Sequence, residues 1–312
     1  MGPQSMRDDP MVIGASGGSG TRVVARIVRH VGVFMGSSLN RSEDSQPFVD
    51  FYDAWTPLYL KREGRLSEQE ERVVDASFSR ALEQHVASLP HPGAPWGLKN
   101  PRSMLFLPLW SQRYPRMKFI HVIRSGLDMA YSDNQWEFQM YRQLVLKPEE
   151  RRGSRRARVI AYWCRVNRVA AEFGERYLKE RYFRVRFEDL CDAPARVVSQ
   201  IFQFLGASER PRLDAAVADV ASPRTIGRWR TRSPEEIHEI MQMGRSGLES
   251  FGYWDEAVWQ AIDRAMHAPR WNRLMFKQLH WKRLVRPGAS NRMNGQKHAV
   301  DRAQVELAGR MS

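Results

Sequence analysis

With 312 residues, 42% of them hydrophobic, the chain can build one large α/β domain around a full core. Its net charge of +14 selects for anionic ligands or surfaces. No apolar run is long enough to span a bilayer, no signal peptide is read at the start, and Cys164 and Cys191 are too few for a disulfide framework, so free thiols in a cytoplasmic, reducing setting are expected.

In chain order, the first element is the most informative. Met11 to Gly14 reads as an apolar strand that runs into Ala15-Ser-Gly-Gly-Ser-Gly-Thr-Arg22 and then into a helical pattern carried by Val23, Val24, Ile27, Val28 and Val31. Gly14, Gly17, Gly18 and Gly20 permit positive φ and close backbone approach, so successive N–H groups can face an anion at the helix N-terminus. The loop is not that of a nucleoside triphosphatase. The pattern G-x-x-x-x-G-K-[ST] would need glycine at Ala15, lysine at Thr21 and a hydroxyl at Arg22. An adenine nucleotide that carries phosphate without the magnesium-triphosphate apparatus suits it better. From 33 to 66 the chain carries Asn40, Ser42, Pro47 and Pro57 and reads as an irregular, substrate-facing loop, followed by a helix near 67–88.

A short strand near 95–98 leads into the turn Lys99-Asn-Pro-Arg102 and a helix near 103–113. The next strand, near 117–123, ends at Arg124, with Ser132 on the helix behind it. A guanidinium and a hydroxyl can thus converge on one anion at the carboxyl edge of an open sheet. The alternative pairs Arg124 with Asp128 and leaves Ser132 facing solvent. After a helix near 155–180, a strand near 182–187 enters Phe187-Glu-Asp-Leu190, and a further helix ends at Ile201-Phe-Gln-Phe-Leu-Gly206. Helices near 234–245 and 256–284 follow. Strands alternating with helical patterns predict an α/β fold with a mainly parallel central sheet flanked by helices. One domain is expected over 1–286, with a basic, flexible tail over 287–312.

The glycine loop, IHVIRSGLDMAYS (residues 120–132), VRFEDL with its following proline and FQFLG, and TIGRWR (Thr225 to Arg230) occur in an order that resembles the sulfotransferases using 3'-phosphoadenosine 5'-phosphosulfate, PAPS. The resemblance spans about residues 11 to 255 and implies the P-loop-like sulfotransferase architecture. It further implies that Gly17, Gly18, Ser19, Gly20, Thr21 and Arg22 hold the 5'-phosphosulfate, the GSGTR stretch being similar to that of heparan-type members, and that Arg124 and Ser132 hold the 3'-phosphate. Lys99 stands in a turn that resembles the one from which many members reach the transferring sulfuryl group. Glu43 and Asp44 lie where members with a carboxylate base carry it. Three departures stand out. Gly18 replaces a loop lysine or arginine, so Arg22 or Lys99 must supply that charge. Phe187 replaces a tyrosine, keeping a stacking face without the hydroxyl. Against RKGxxGxW, only Gly227 and Trp229 match outright, which leaves Arg224 and Arg228 as candidate phosphate ligands.

Sulfuryl transfer, like phosphoryl transfer, needs positioning, cations for the charge on the leaving group, and a base for the acceptor's proton. Lys99 and Arg22 are the expected cations, Asp44 the expected base with Glu43 second; a solvated Glu-Asp pair is the bland alternative. His121 also offers a base but lies inside an apolar strand, where a core histidine is expected. No spacing of His, Cys, Asp and Glu resembles a metal site. Arginines at 151, 152, 155, 156 and 158 and a basic, aromatic-rich segment at 271–286 would suit polyanions or an anionic membrane surface. These clusters favour a hydroxyl on a carbohydrate, an anionic one included, as acceptor; a lipid, a small natural product or a peptide tyrosine needs the same donor machinery. A P-loop kinase lacks its lysine here. A nucleic-acid-binding module does not account for the ordered nucleotide motifs.

Overall fold

The computed structural model describes residues 9–207 and 211–267. Four parallel strands make its sheet: β1 (Met11–Ala15), β2 (Gly97–Lys99), β3 (Lys118–Ile123) and β4 (Tyr182–Arg186), in the order β2-β1-β3-β4. Ile13 lies opposite Lys99 on one side and Ile120 on the other, and Ile123 pairs with Arg186. Buried on both faces, β1 and β3 are near-continuous apolar runs, as parallel strands between two helical layers require.

The first helix, α1 (Thr21–Arg29), leaves the glycine loop and packs Val24, Ile27 and Val28 against Ile13, Ile120 and Val122. The stretch expected as loop over 33–66 is corrected by the structure: residues 46–61 form α2 (Gln46–Lys61). Pro47 sits in its first turn, where a missing N–H costs nothing, and Phe48, Phe51, Tyr52 and Tyr59 bury one stripe of it. Two prolines obscured a helix whose stability comes from that aromatic stripe. Next, α3 (Glu68–Val86) begins at a Ser67–Glu70 capping box. A 3₁₀ turn over Pro101–Phe106 precedes α4 (Leu107–Arg113), then come α5 (Gly126–Ala130), α6 (Trp136–Val145) and α7 (Arg155–Phe173).

Beyond β4 the chain adds α8 (Phe187–Asp192), α9 (Pro194–Leu205), α10 (Pro211–Ala218), α11 (Pro234–Ser250) and α12 (Glu256–His267). Helices α1, α9 and α10 cover one face of the sheet; α2, α3, α4 and α7 cover the other. The far side of α7 carries a second apolar layer with α11 and α12. The helix expected over 256–284 is described to residue 267; its remainder, the basic segment at 271–286 and the tail from 287 lie outside the described residues. Both cysteines are free thiols, with Cys164 buried.

Candidate active site

All four strands deliver their last residues to one edge. The loop Ser16–Gly20 follows β1, Lys99 ends β2, Arg124 follows β3 and Phe187 follows β4. Because β1 has a neighbour on each side, the connections leaving β1 and β3 diverge there and open a crevice.

The glycine loop is shaped for an anion. Gly20 caps α1 at φ +91° with no side-chain cap, and the first turn of α1 holds no acidic residue, so its N–H donors face outward unshielded. A Cβ at Gly20 would lie 2.3 Å from the Phe187 ring, which requires glycine there twice over. Ser19 is buried, its hydroxyl donating to the Ser16 carbonyl at 2.7 Å. Gly18 also has φ +91°, while a Cβ there would be in ordinary contact with Met129 Cε and Ser132 Oγ at 3.5 Å and Asn134 Cβ at 3.8 Å. Backbone conformation, rather than lack of space, is what a lysine or arginine would find costly at this position. Thr21 is buried at the helix start and Arg22 is exposed.

Arg124, 5% exposed, holds Thr225 Oγ1 at 3.0 Å, lies 5.4 Å from the Phe187 ring centre and 3.7 Å from Asp128. Its Nε is buried without a hydrogen-bond partner. An orphaned guanidinium N–H beside a crevice is a donor in want of an acceptor. Ser132, on the turn after α5, reaches the loop at Gly18. Asp128 does more than pair with Arg124. Its two oxygens accept the backbone N–H groups of Gly227 (2.8 Å) and Trp229 (3.4 Å), stapling the turn Thr225–Thr231 over the site. Burial pushes the Asp128 carboxyl up, against those N–H groups and Arg124. Within that turn Gly227 has φ +75°, Trp229 is buried, and Arg228 binds the carbonyls of Thr225 and Tyr131. Burial and the neighbouring Arg124 lower the pKa of Arg228. Arg224 is exposed at the edge.

Across β1, Lys99 is 2% exposed and its ammonium donates to Asp44 Oδ1 at 2.6 Å and to the Ser42 carbonyl at 2.5 Å. Burial lowers its pKa, Asp44 and Glu43 oppose that, and nearby Arg22 adds to it. Asn40 holds the other side of Asp44, its Nδ2 donating to Oδ2 and its Oδ1 accepting the Asp44 N–H. Glu43, at φ 62°, turns away to Arg26 and Arg29 at 2.5 and 2.7 Å. Burial raises its pKa, but the hydrogen bonds from both arginines outweigh it and hold the carboxyl low. The two neighbouring carboxylates are thereby separated: Asp44 faces Lys99, Glu43 belongs to α1.

His121 is fully buried, its Nδ1 meeting the Tyr182 hydroxyl at 2.8 Å and its Nε2 the Asn167 side-chain oxygen at 3.0 Å. Burial pushes its pKa down to about 3, and its place is the core beneath the edge. Two residues of the site went unread in the sequence. Asp128 was visible there only as a partner for Arg124, and Glu137, on α6, accepts the Gly17 N–H at 3.1 Å. No local pattern marks Glu137, since its partner lies 120 positions away.

The sequence profile of the sulfotransferase family matches residues 18–211. The chain belongs to that family. No curated protein matches it. Among solved structures, the sulfotransferase domain from the curacin biosynthetic pathway shares 15% identity, with 80% of this chain and 99% of that one covered at a TM-score of 0.48. Sulfotransferase STF9 from Mycobacterium avium shares 11%, covering 80% and 78% at 0.49. Mouse sulfotransferase SULT7A1 complexed with PAP shares 12%, covering 84% and 90% at 0.45. Among the described residues of this sulfotransferase, no group of three or more His, Cys, Asp and Glu is placed to hold a metal, and no helix is long and apolar enough to cross a membrane.

Proposed function

We propose that this sulfotransferase moves the sulfuryl group of PAPS to an acceptor hydroxyl. The observation that carries the reading is Arg124, buried at the strand edge with an orphaned Nε beside Phe187, Thr225 and Arg228. Those residues fit a nucleotide 3'-phosphate lying over an aromatic face, and the uncapped start of α1 fits a 5'-phosphate. When bound, PAPS supplies an activated sulfuryl group on a phosphate leaving group. Ser132 and Arg124 would hold the 3'-phosphate; Gly18, Ser19, Gly20, Thr21 and Arg22 would hold the 5' end.

Asp44 is the base of this proposal. It accepts the acceptor's proton as the acceptor oxygen bonds to sulfur and the sulfur–oxygen bond to the phosphate breaks. Lys99 holds Asp44 in place and offsets negative charge that grows on the departing phosphate. Glu43 is supported as an anchor of the 40–45 turn on α1. For the acceptor we propose a carbohydrate or glycoconjugate hydroxyl, supported by the GSGTR loop and the arginines at 151–158. Part of that cluster serves the fold, since Arg156 stacks over Tyr131 and pairs with Glu236. Calorimetry tests the donor reading: adenosine 3',5'-bisphosphate should bind with the same affinity with and without a chelator. An absence of binding removes it. Radiolabelled PAPS with panels of acceptor classes tests the carbohydrate reading.

A further inference from the structure

The loop that would hold the donor's 5' end already carries a negative group of the protein's own. Glu137, in the first turn of α6, accepts the Gly17 N–H through Oε2 at 3.1 Å. A Cβ on Gly17 would lie 3.2 Å from Oε1, so the carboxyl is packed on the loop itself. The residue as a whole is partly exposed, but its carboxyl end is enclosed. Around it stand Arg102 from the 3₁₀ turn, Asp44 from the 40–45 turn and Tyr162 from α7. The buried Tyr162 hydroxyl has no hydrogen-bond partner. It borders a cavity of about 30 Å³ with Ser16, Gly17, Asn134, Gln135 and Glu137, large enough for one water.

An ionised carboxylate and a phosphosulfate cannot share one loop without strong repulsion, because two close anions in an enclosed site do not both stay charged. The same loop has no cation of its own before Arg22, since residues 15–21 are Ala, Ser, Gly and Thr only. One change answers both problems: a carboxyl that takes up a proton stops repelling the anion and gains an O–H to donate to it. We propose that Glu137 binds the donor in its neutral form, giving an O–H hydrogen bond to the anionic 5' end at a loop that carries no cation before Arg22. Burial chiefly, with Asp44 adding to it against Gly17 N–H and Arg102, already raises the free carboxyl to about 7, so the proton costs little near neutrality. A carboxylic acid kept neutral by its surroundings so that it can donate is an established catalytic device in other enzymes. The inference rests on the donor reading above and concerns how this chain replaces a missing charge.

Calorimetry with adenosine 3',5'-bisphosphate on the full chain, from pH 6 to 9 in buffers of different ionisation enthalpy, counts the protons taken up. The ligand's own phosphate titrates in every case, so the readout is wild type against Glu137→Gln, whose amide keeps the shape and a donor N–H. Wild type should take up about one proton more than the variant at pH 8, and its affinity should fall about tenfold per pH unit above 7 relative to the variant. Glu137→Ala, with no donor, should bind more weakly than Glu137→Gln at pH 6. Equal proton counts and equal pH slopes for wild type and Glu137→Gln overturn the proposal. Tighter binding by Glu137→Ala than by Glu137→Gln also overturns it, because a hydrogen-bond donor at this position would then contribute nothing to binding. Failure of every variant and of wild type to bind the bisphosphate strikes the donor reading itself, and this inference falls with it.

Discussion

In the proposed function the donor side of the site and its acceptor side meet at the end of β1, yet they are made of different materials. On the donor side the working groups are backbone N–H donors at α1, a glycine at φ +91° fixed by an aromatic ring, and one arginine at the end of β3. Its partners are held by the sheet, whose edge places them. On the acceptor side the working groups are two charged side chains, Lys99 at the end of β2 and Asp44 on the 40–45 turn, that hold each other at 2.6 Å. The first arrangement is positioned by backbone and sheet. The second depends on a buried ion pair, in which losing one partner strands the other. Donor-side substitutions should therefore act on affinity, and acceptor-side substitutions on turnover.

The largest separation is expected from Lys99→Ala. Turnover should drop by about 10²–10³-fold, the range seen when one charge-stabilising donor is removed, while affinity for adenosine 3',5'-bisphosphate changes little. Normal turnover with weakened binding would move Lys99 to the donor side and break the comparison. Asp44→Asn keeps shape and removes basicity, and should cost about a hundredfold in turnover with bisphosphate binding intact. An active Asp44→Asn would end its candidacy as base. Arg124→Ala should show the opposite pattern, with binding weakened by about 1.5 to 3 kcal/mol by calorimetry through loss of a charged hydrogen bond.

His121 sharpens the boundary between site and core. Its folded pKa near 3 lies below the 6.5 of a free imidazole, so the unfolded chain binds a proton there that the folded chain refuses. Its contribution is present above pH 6.5 and is lost as pH falls toward 3, at a slope approaching about 1.4 kcal/mol per pH unit. Urea titrations at several pH values should show a flatter dependence for His121→Gln, with turnover preserved. A turnover loss like that of Asp44→Asn would place the base in the core instead. The smallest effect belongs to Glu43→Gln, which removes ion pairs with partly exposed Arg26 and Arg29 and should cost less than about 1 kcal/mol in thermal melts.

Legibility in the sequence follows the same division. All four strands, and Arg124 at the end of one of them, were readable because short apolar or β-branched runs ending in turn residues leave a local pattern, clearest at buried β1 and β3. The helix at 46–61 was not, since Pro47 and Pro57 mimic loop chemistry while its aromatic stripe only has meaning against Phe78, Phe106 and Trp110. The Lys99 and Asp44 positions were suggested by a family resemblance, whereas their contact spans 55 residues and has no local signature. Glu137 and the full role of Asp128 stayed hidden for the same reason: each binds backbone N–H groups about a hundred positions away or more, and a backbone partner leaves no letter in the sequence.

The Asp128 staple has a consequence for how the protein matures. Gly227 and Trp229 join Asp128 across 99 and 101 residues, and Thr225 reaches Arg124 across another 101, from a turn beyond the end of the family match at 211. During synthesis the sheet and its glycine loop are complete before that turn has been made. The strands are therefore synthesised before the turn that Asp128 holds through two main-chain amides, and a chain cut short before residue 225 would keep the glycine loop and lose that wall of the crevice.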